Sequence, residues 1–143
     1  MMPAAHVDRL AISSIHGDPL NPRTWSGAPA RIAEVLQRQG VDVHGIYTGS
    51  TRLGRLLLAA GYVGRGLGIP PSGEALARSA AARLAAAQRL ERIVRHARIK
   101  HVLHMGTLDI APDAWGADTR HYAYCDQTWA LSLRYRPDAA RYG

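Results

Sequence analysis

Three short clusters in the chain carry residue types able to do chemistry. In "DPLNPRTWSGAPARIAEVLQRQG", residues 18–40, Ser26 and Gly27 stand just ahead of an apparent helix start. Unpaired amides there, together with a helix dipole of about half a charge, make a local anion site, and Gly27 would let a phosphate approach the backbone closely. The plainer alternative is a cap and turn. His101 and His104 have the H-x-x-H spacing of a zinc pair, but in a strand residues three apart face opposite sides and cannot easily share one ion, so no metal is expected. The third cluster is Asp126-Gln127-Thr128, behind the sole cysteine, Cys125, which leaves no internal disulfide or cysteine cluster to form.

The elements that position these residues follow from periodicity. Ile32, Val35 and Leu36 mark one buried helical face, Pro29 suits a first turn and Gly40 a stop, so a helix is expected over residues 29–39. "LAISSI" (10–15) before it and "VDVHGIYT" (41–48) after it read as strands, giving a strand–loop–helix–strand unit. A parallel pair needs a crossover connection, which leaves the helix N-terminus at the carboxyl edge of the sheet. Further strands are expected at 100–105 and 121–125, which puts Asp126, Gln127 and Thr128 at a strand-to-helix boundary on the same edge as the Gly27 loop.

Between these units, an apolar stretch suits a short helix and is followed by Gly61, Gly64, Gly66, Gly68, Pro70 and Pro71. A dinucleotide fingerprint follows a strand and opens a helix; this glycine run follows a helix-like segment and ends in prolines, so it reads as a flexible connection. From Glu74 to about Arg98 the chain is rich in alanine and arginine. Leu76, Ala80, Leu84, Ala87, Leu90, Ile93, Val94 and Ala97 form the stripe of a long helix packed on the sheet. The fold class expected is α/β, a Rossmann-like three-layer domain with a mostly parallel sheet.

Composition bounds the rest. With 143 residues, 47% of them hydrophobic, there is room for one domain with a real core. The start lacks an apolar leader, and the best hydrophobic run, "LLLAAGYVG", lies between Arg55 and Arg65, far short of a membrane span; a cytoplasmic protein is expected. A net charge of +7 raises nucleic acid or an anionic membrane surface as partners. Lys100 is the only lysine, and Arg78, Arg83, Arg89, Arg92, Arg95 and Arg98 spread around more than one helical face, so solvated surface fits better. Nucleic acid is therefore disfavoured, while peripheral membrane contact stays compatible with the charge.

Three segments together resemble a known family. They are Asn21-Pro22-Arg23-Thr24-Trp25-Ser26-Gly27-Ala28-Pro29 ahead of a helix, the strand end His104-Met105-Gly106-Thr107-Leu108, and "HYAYCDQTW" at 121–129. They are similar to the N-terminal half of retaining glycosyltransferases with the two-domain B-type fold, called group 1 or family 4, and the similarity covers nearly the whole chain. The resemblance implies an acceptor-binding Rossmann-like domain facing a second domain that binds most of a nucleotide-sugar donor across a cleft. It implies no cofactor and no metal, the nucleotide sugar being a co-substrate.

By that resemblance, Ser26 and Gly27 face the donor phosphates and the reacting centre, and His104, Gly106, Thr107 and Thr128 belong to the substrate-binding edge. Asp126 stands where many relatives carry a histidine near the transferred sugar. An aspartate there suits orientation of an acceptor or donor hydroxyl, its charge favouring a developing oxocarbenium ion; the alternative is that it caps the following helix. The donor-binding half finds no counterpart in these residues, so the chain reads as an incomplete acceptor-side domain, inactive alone, of an enzyme that passes a sugar to an unidentified acceptor. The readings set against it are a small α/β nucleotide- or ligand-binding module without catalysis and, behind that, a basic nucleic-acid-binding protein.

Overall fold

The computed structural model describes residues 7–49, 52–63, 79–106, 109–110 and 118–125. Strands β1 (Arg9–Ser14), β2 (Asp42–Tyr47), β3 (His101–Met105) and β4 (Arg120–Tyr124) form one sheet in the order β2-β1-β3-β4, and every pairing is parallel. Helices α1 (Ala28–Arg38), α2 (Arg52–Val63) and α3 (Ala80–His96) occupy the connections. The chain leaves β1 for β2 on one side and returns past it to β3 on the other, so the direction of winding reverses at β1.

Both faces of β1 are covered, which is why its sequence is apolar and small without alternation. On one face Leu10, Ile12, Val43 and Met105 pack with Ala33 of α1, joined by the half-buried Ile32, Leu36 and Trp25. On the other, Ala11, Ile46 and Val102 pack with Leu90 and Val94 of α3 and with Ile99. The result is the three-layer, Rossmann-like α/β arrangement. Full burial of side chains such as Ile12, Leu90 and Val102 stabilises it by about 1.5–3 kcal/mol each.

The helix ends are built in two ways. Both α1 and α3 stop in a Schellman turn: Val41 N–H and Gly40 N–H donate to the Leu36 and Gln37 carbonyls, and Ile99 N–H and Arg98 N–H to the Val94 and Arg95 carbonyls. Gly40 takes the left-handed position of the first turn, at φ 86°, whereas Arg98 takes it in the second, at φ 54°. At the other end of α3, the Ser79 hydroxyl accepts from Ala82 N–H at 3.3 Å. Ser79 is itself extended, so α3 starts at Ala80 rather than near Glu74; residues 74–78 lie outside the described residues. The buried stripe of α3 is Ala86, Ala87, Leu90 and Val94, while Leu84 and Ile93 face solvent, because only about four positions of a two-turn segment reach a flat sheet.

Candidate functional site

In open parallel sheets, ligands bind outside the carboxyl ends of the strands, where the winding reverses. Here that place is the end of β1 and β3, and polar or aromatic side chains gather there on both faces.

On the α1 face, the chain leaves β1 through a loop held by its own side chains. Ser14 Oγ accepts from His16 N–H at 3.1 Å, Asp18 Oδ1 from Leu20 N–H at 2.9 Å and Asn21 Oδ1 from Arg23 N–H at 3.0 Å. These local turns are why a segment rich in Asp, Asn and Pro holds one shape. A 3-10 turn, Thr24–Gly27, then places Trp25, Ser26 and Gly27 successively at positive φ, 50°, 55° and 82°. Two consecutive non-glycine residues in the left-handed region store on the order of 1–3 kcal/mol each, strain that concentrates where a ligand or a switch is held.

Gly27 has a reason internal to the loop. A Cβ at this position would stand 2.9 Å from the Pro22 carbonyl oxygen, and its φ of 82° already favours glycine. The Ala28 amide donates to the Trp25 carbonyl, and Pro29 has none, so the helix start offers fewer donors to an anion than its sequence suggests. Ser26 is not the cap: Gly27 holds the N-cap position and no side chain bonds to the first turn. The Ser26 side chain is exposed at the tip of the turn instead.

Around Trp25 the rings of three sequence-distant segments meet. His16 stacks on it with centroids 5.9 Å apart and planes 21° apart, and Tyr124 meets it edge-on at 6.3 Å and 62°. Gly106, at φ 99°, closes the base of this group, its Cβ position lying 3.9 Å from the indole. The Trp-Ser-Gly turn and the His-Met-Gly strand end, far apart in sequence, are thus neighbours.

On the α3 face, polar side chains at the ends of three neighbouring strands form a buried cluster. Ser13 and His104 are register partners with no solvent exposure, and Thr48, just past the end of β2, lies two residues beyond Ile46, the β2 partner of Ser13. Asp109 Oδ1 accepts from His104 Nδ1 at 2.9 Å, and Asp109 Oδ2 accepts from Thr48 Oγ1 at 3.0 Å. Ser13 Oγ lies 3.2 Å from the same His104 nitrogen. His104 Nε2 and His121 Nδ1 are 2.9 Å apart, with the rings stacked. The carboxylate assigns the His104 proton to Nδ1, so in the neutral pair Nε2 accepts from His121 Nδ1–H.

Burial pushes the Asp109 carboxyl up, but the hydrogen bond and electrostatic pull of His104, with bonds from Ser13 and Thr48, outweigh it and hold the group below its ordinary value. Burial and then the like charge of His104 push the His121 imidazole down, against a smaller upward pull from Asp109. Serine, histidine and aspartate here are not a nucleophilic triad. Ser13 and Asp109 address one and the same ring nitrogen, and the serine is wholly enclosed. What the cluster does is tie the segment after β3 to the ends of β1 and β2.

Of the residues expected at the site, Ser26, Gly27 and Gly106 come together beside Trp25, and His104 lies through the sheet from them, facing α3. Thr107, Asp126 and Thr128 lie outside the described residues, and β4 ends at Tyr124. His101 and His104 leave opposite faces of β3, His101 stacking on Tyr122 at the sheet edge. Sequence reading missed Ser13, Thr48, Asp109 and His121. For Ser13 and Thr48 the signal was present in the polar residues that close otherwise apolar strands, whereas Asp109, four residues past β3, and His121, second in β4, gave none. His16 and Tyr124 were missed because ring stacking across segments has no sequence spacing.

The fold and edge define a doubly wound α/β domain with a strained turn at its switch point. No family model, curated protein or solved structure matches the chain. Among the described residues, no helix is long and apolar enough to cross a membrane.

Proposed function

We propose that this domain forms the acceptor-side wall of a glycosyltransferase site, at which a sugar passes from a nucleotide-sugar donor to an acceptor hydroxyl. One observation carries the reading: the Trp25-Ser26-Gly27 turn and the Gly106 end of β3, two of the segments that resemble that family, are neighbours at the switch point of the sheet. The strained turn supports it, because a left-handed tryptophan is retained only where the surroundings over-determine it. Transfer itself needs a second wall to position the donor, supplied by a donor-binding domain alongside this one. In this reading Asp126, which follows the last residue of β4 by two positions in the sequence, orients an acceptor or donor hydroxyl, and Thr107 and Thr128 contribute to substrate binding.

A titration of the isotopically labelled chain with UDP-glucose, GDP-mannose and duplex DNA, followed by amide cross-peaks, tests the reading. Nucleotide sugars are expected to shift Gly27, Ala28 and Gly106. Silence at those amides with every nucleotide sugar overturns it, as does a salt-sensitive response to DNA alone, which would instead assign the arginine-rich surface of α3.

A further inference from the structure

We infer that the rings of His16, Trp25 and Tyr124 bind the apolar face of a hexopyranose, so that the acceptor presented to this edge is itself a sugar or a glycoside; this rests on the transfer reading above. The rings come from the loop after β1, the turn before α1 and the last residue of β4, and they meet at the carboxyl edge of the sheet, where open parallel sheets bind ligands. Trp25 is anchored against the core that contains Met105, while His16 is exposed and Tyr124 is 39% exposed, so the group is rigid beneath and open above. Aromatic surface of this kind gives large contact area at small entropic loss, and the phenol oxygen adds a hydrogen-bonding group at its rim.

The ring geometry selects the ligand. At 5.9 Å and 21° His16 and Trp25 are in direct contact, so no slot remains between them in which a flat nucleobase could be sandwiched. Trp25 and Tyr124 stand at 62° to one another and form a corner. A flat base can lie against only one wall of a corner. A puckered pyranose presents its axial C–H groups to one wall and its edge to the other, with equatorial hydroxyls left for the polar rim. Exposed Ser26 at the tip of the turn adds another hydroxyl to that rim.

The experiment is a titration of the full chain with methyl α-D-glucopyranoside, methyl α-D-mannopyranoside, methyl β-D-galactopyranoside and uridine. It is read at the Trp25 indole N–H and the Tyr124 ring, in the native chain and in Tyr124→Leu, Tyr124→Phe and His16→Ala. At least one glycoside is expected to shift both rings, to bind roughly three- to tenfold more weakly in Tyr124→Leu and His16→Ala, and to bind nearly as well in Tyr124→Phe. Unmoved Gly27 and Ile12 cross-peaks in the variants verify that they fold. The inference is overturned if no glycoside moves the rings, if uridine moves them as strongly, or if the variants leave glycoside affinity unchanged. The two readings fail separately. Nucleotide sugars shifting Gly27 and Ala28 with no glycoside at the rings would remove this inference alone, and glycosides at the rings with no response to nucleotide sugars would remove the transfer reading alone.

Discussion

Asp109 is the residue on which the buried cluster depends. It is 2% exposed and accepts from both His104 and Thr48, so its carboxylate is tolerated only because its lone pairs are used. Asp109→Asn keeps the shape but replaces an acceptor oxygen with a donor facing His104 or Thr48. Urea unfolding should show a loss of about 2–4 kcal/mol. The same cluster sets the pH response. His121 is held below its ordinary value of 6.5, so as pH falls through 6.5 the unfolded chain takes up a proton that the folded chain refuses, and stability falls until the folded value is reached. Asp109, held below 3.8, contributes stability that is complete above that pH and is lost as pH drops towards its folded value. Denaturation midpoints between pH 8 and pH 3 should thus decline in two stages. His121→Asn, which retains a donor for His104 but does not titrate, should remove the first stage and leave the second.

The two helix stops are a matched experiment at the scale of an element. Both α1 and α3 end in the same pair of backbone hydrogen bonds, one around Gly40 and the other around Arg98. Left-handed backbone disfavours any residue with a Cβ by roughly 1 kcal/mol, so Arg98→Gly should raise the unfolding free energy by about 0.5–1 kcal/mol and Gly40→Ala should lower it by a similar amount. Chemical denaturation of both variants checks the pair. The contrast also explains what was legible in the sequence. Gly40 announced its helix end, and Pro29 its start, because each imposes a backbone restriction that is visible in a single letter. The strands at 10–15, 41–47, 100–105 and 121–125 were legible to within one residue at each end because β-branched and apolar runs between turn residues admit little else. The start of α3 was not. Alanine and arginine continue a helical pattern through Ser79 without a break, and only the capping hydroxyl, a three-dimensional event, stops it.

For the whole molecule, the parallel α/β class followed from the alternation of elements, but the two-sided character of the edge did not. A sequence gives the order of strands along the chain, not their order across the sheet, and it is the placement of β3 beside β1 that puts His104 against Ser13 and Gly106 against Trp25. On the transfer reading the domain supplies only one wall of the cleft, so the purified chain incubated with radiolabelled UDP-glucose or GDP-mannose and glycoside acceptors should yield no labelled product. Product formed by the chain alone would mean that positioning of donor and acceptor is complete within it. The strand order has a further consequence, for the ribosome. β1, α1 and β2 are synthesised as a contiguous unit, but the other edge of β1 waits for β3, roughly fifty residues later, which at typical elongation rates is about 3–10 seconds. During that interval the nascent chain carries an unpaired strand edge ending in Ser13 and Ser14, and this is when the domain is most exposed to mispairing with its neighbours on the same message.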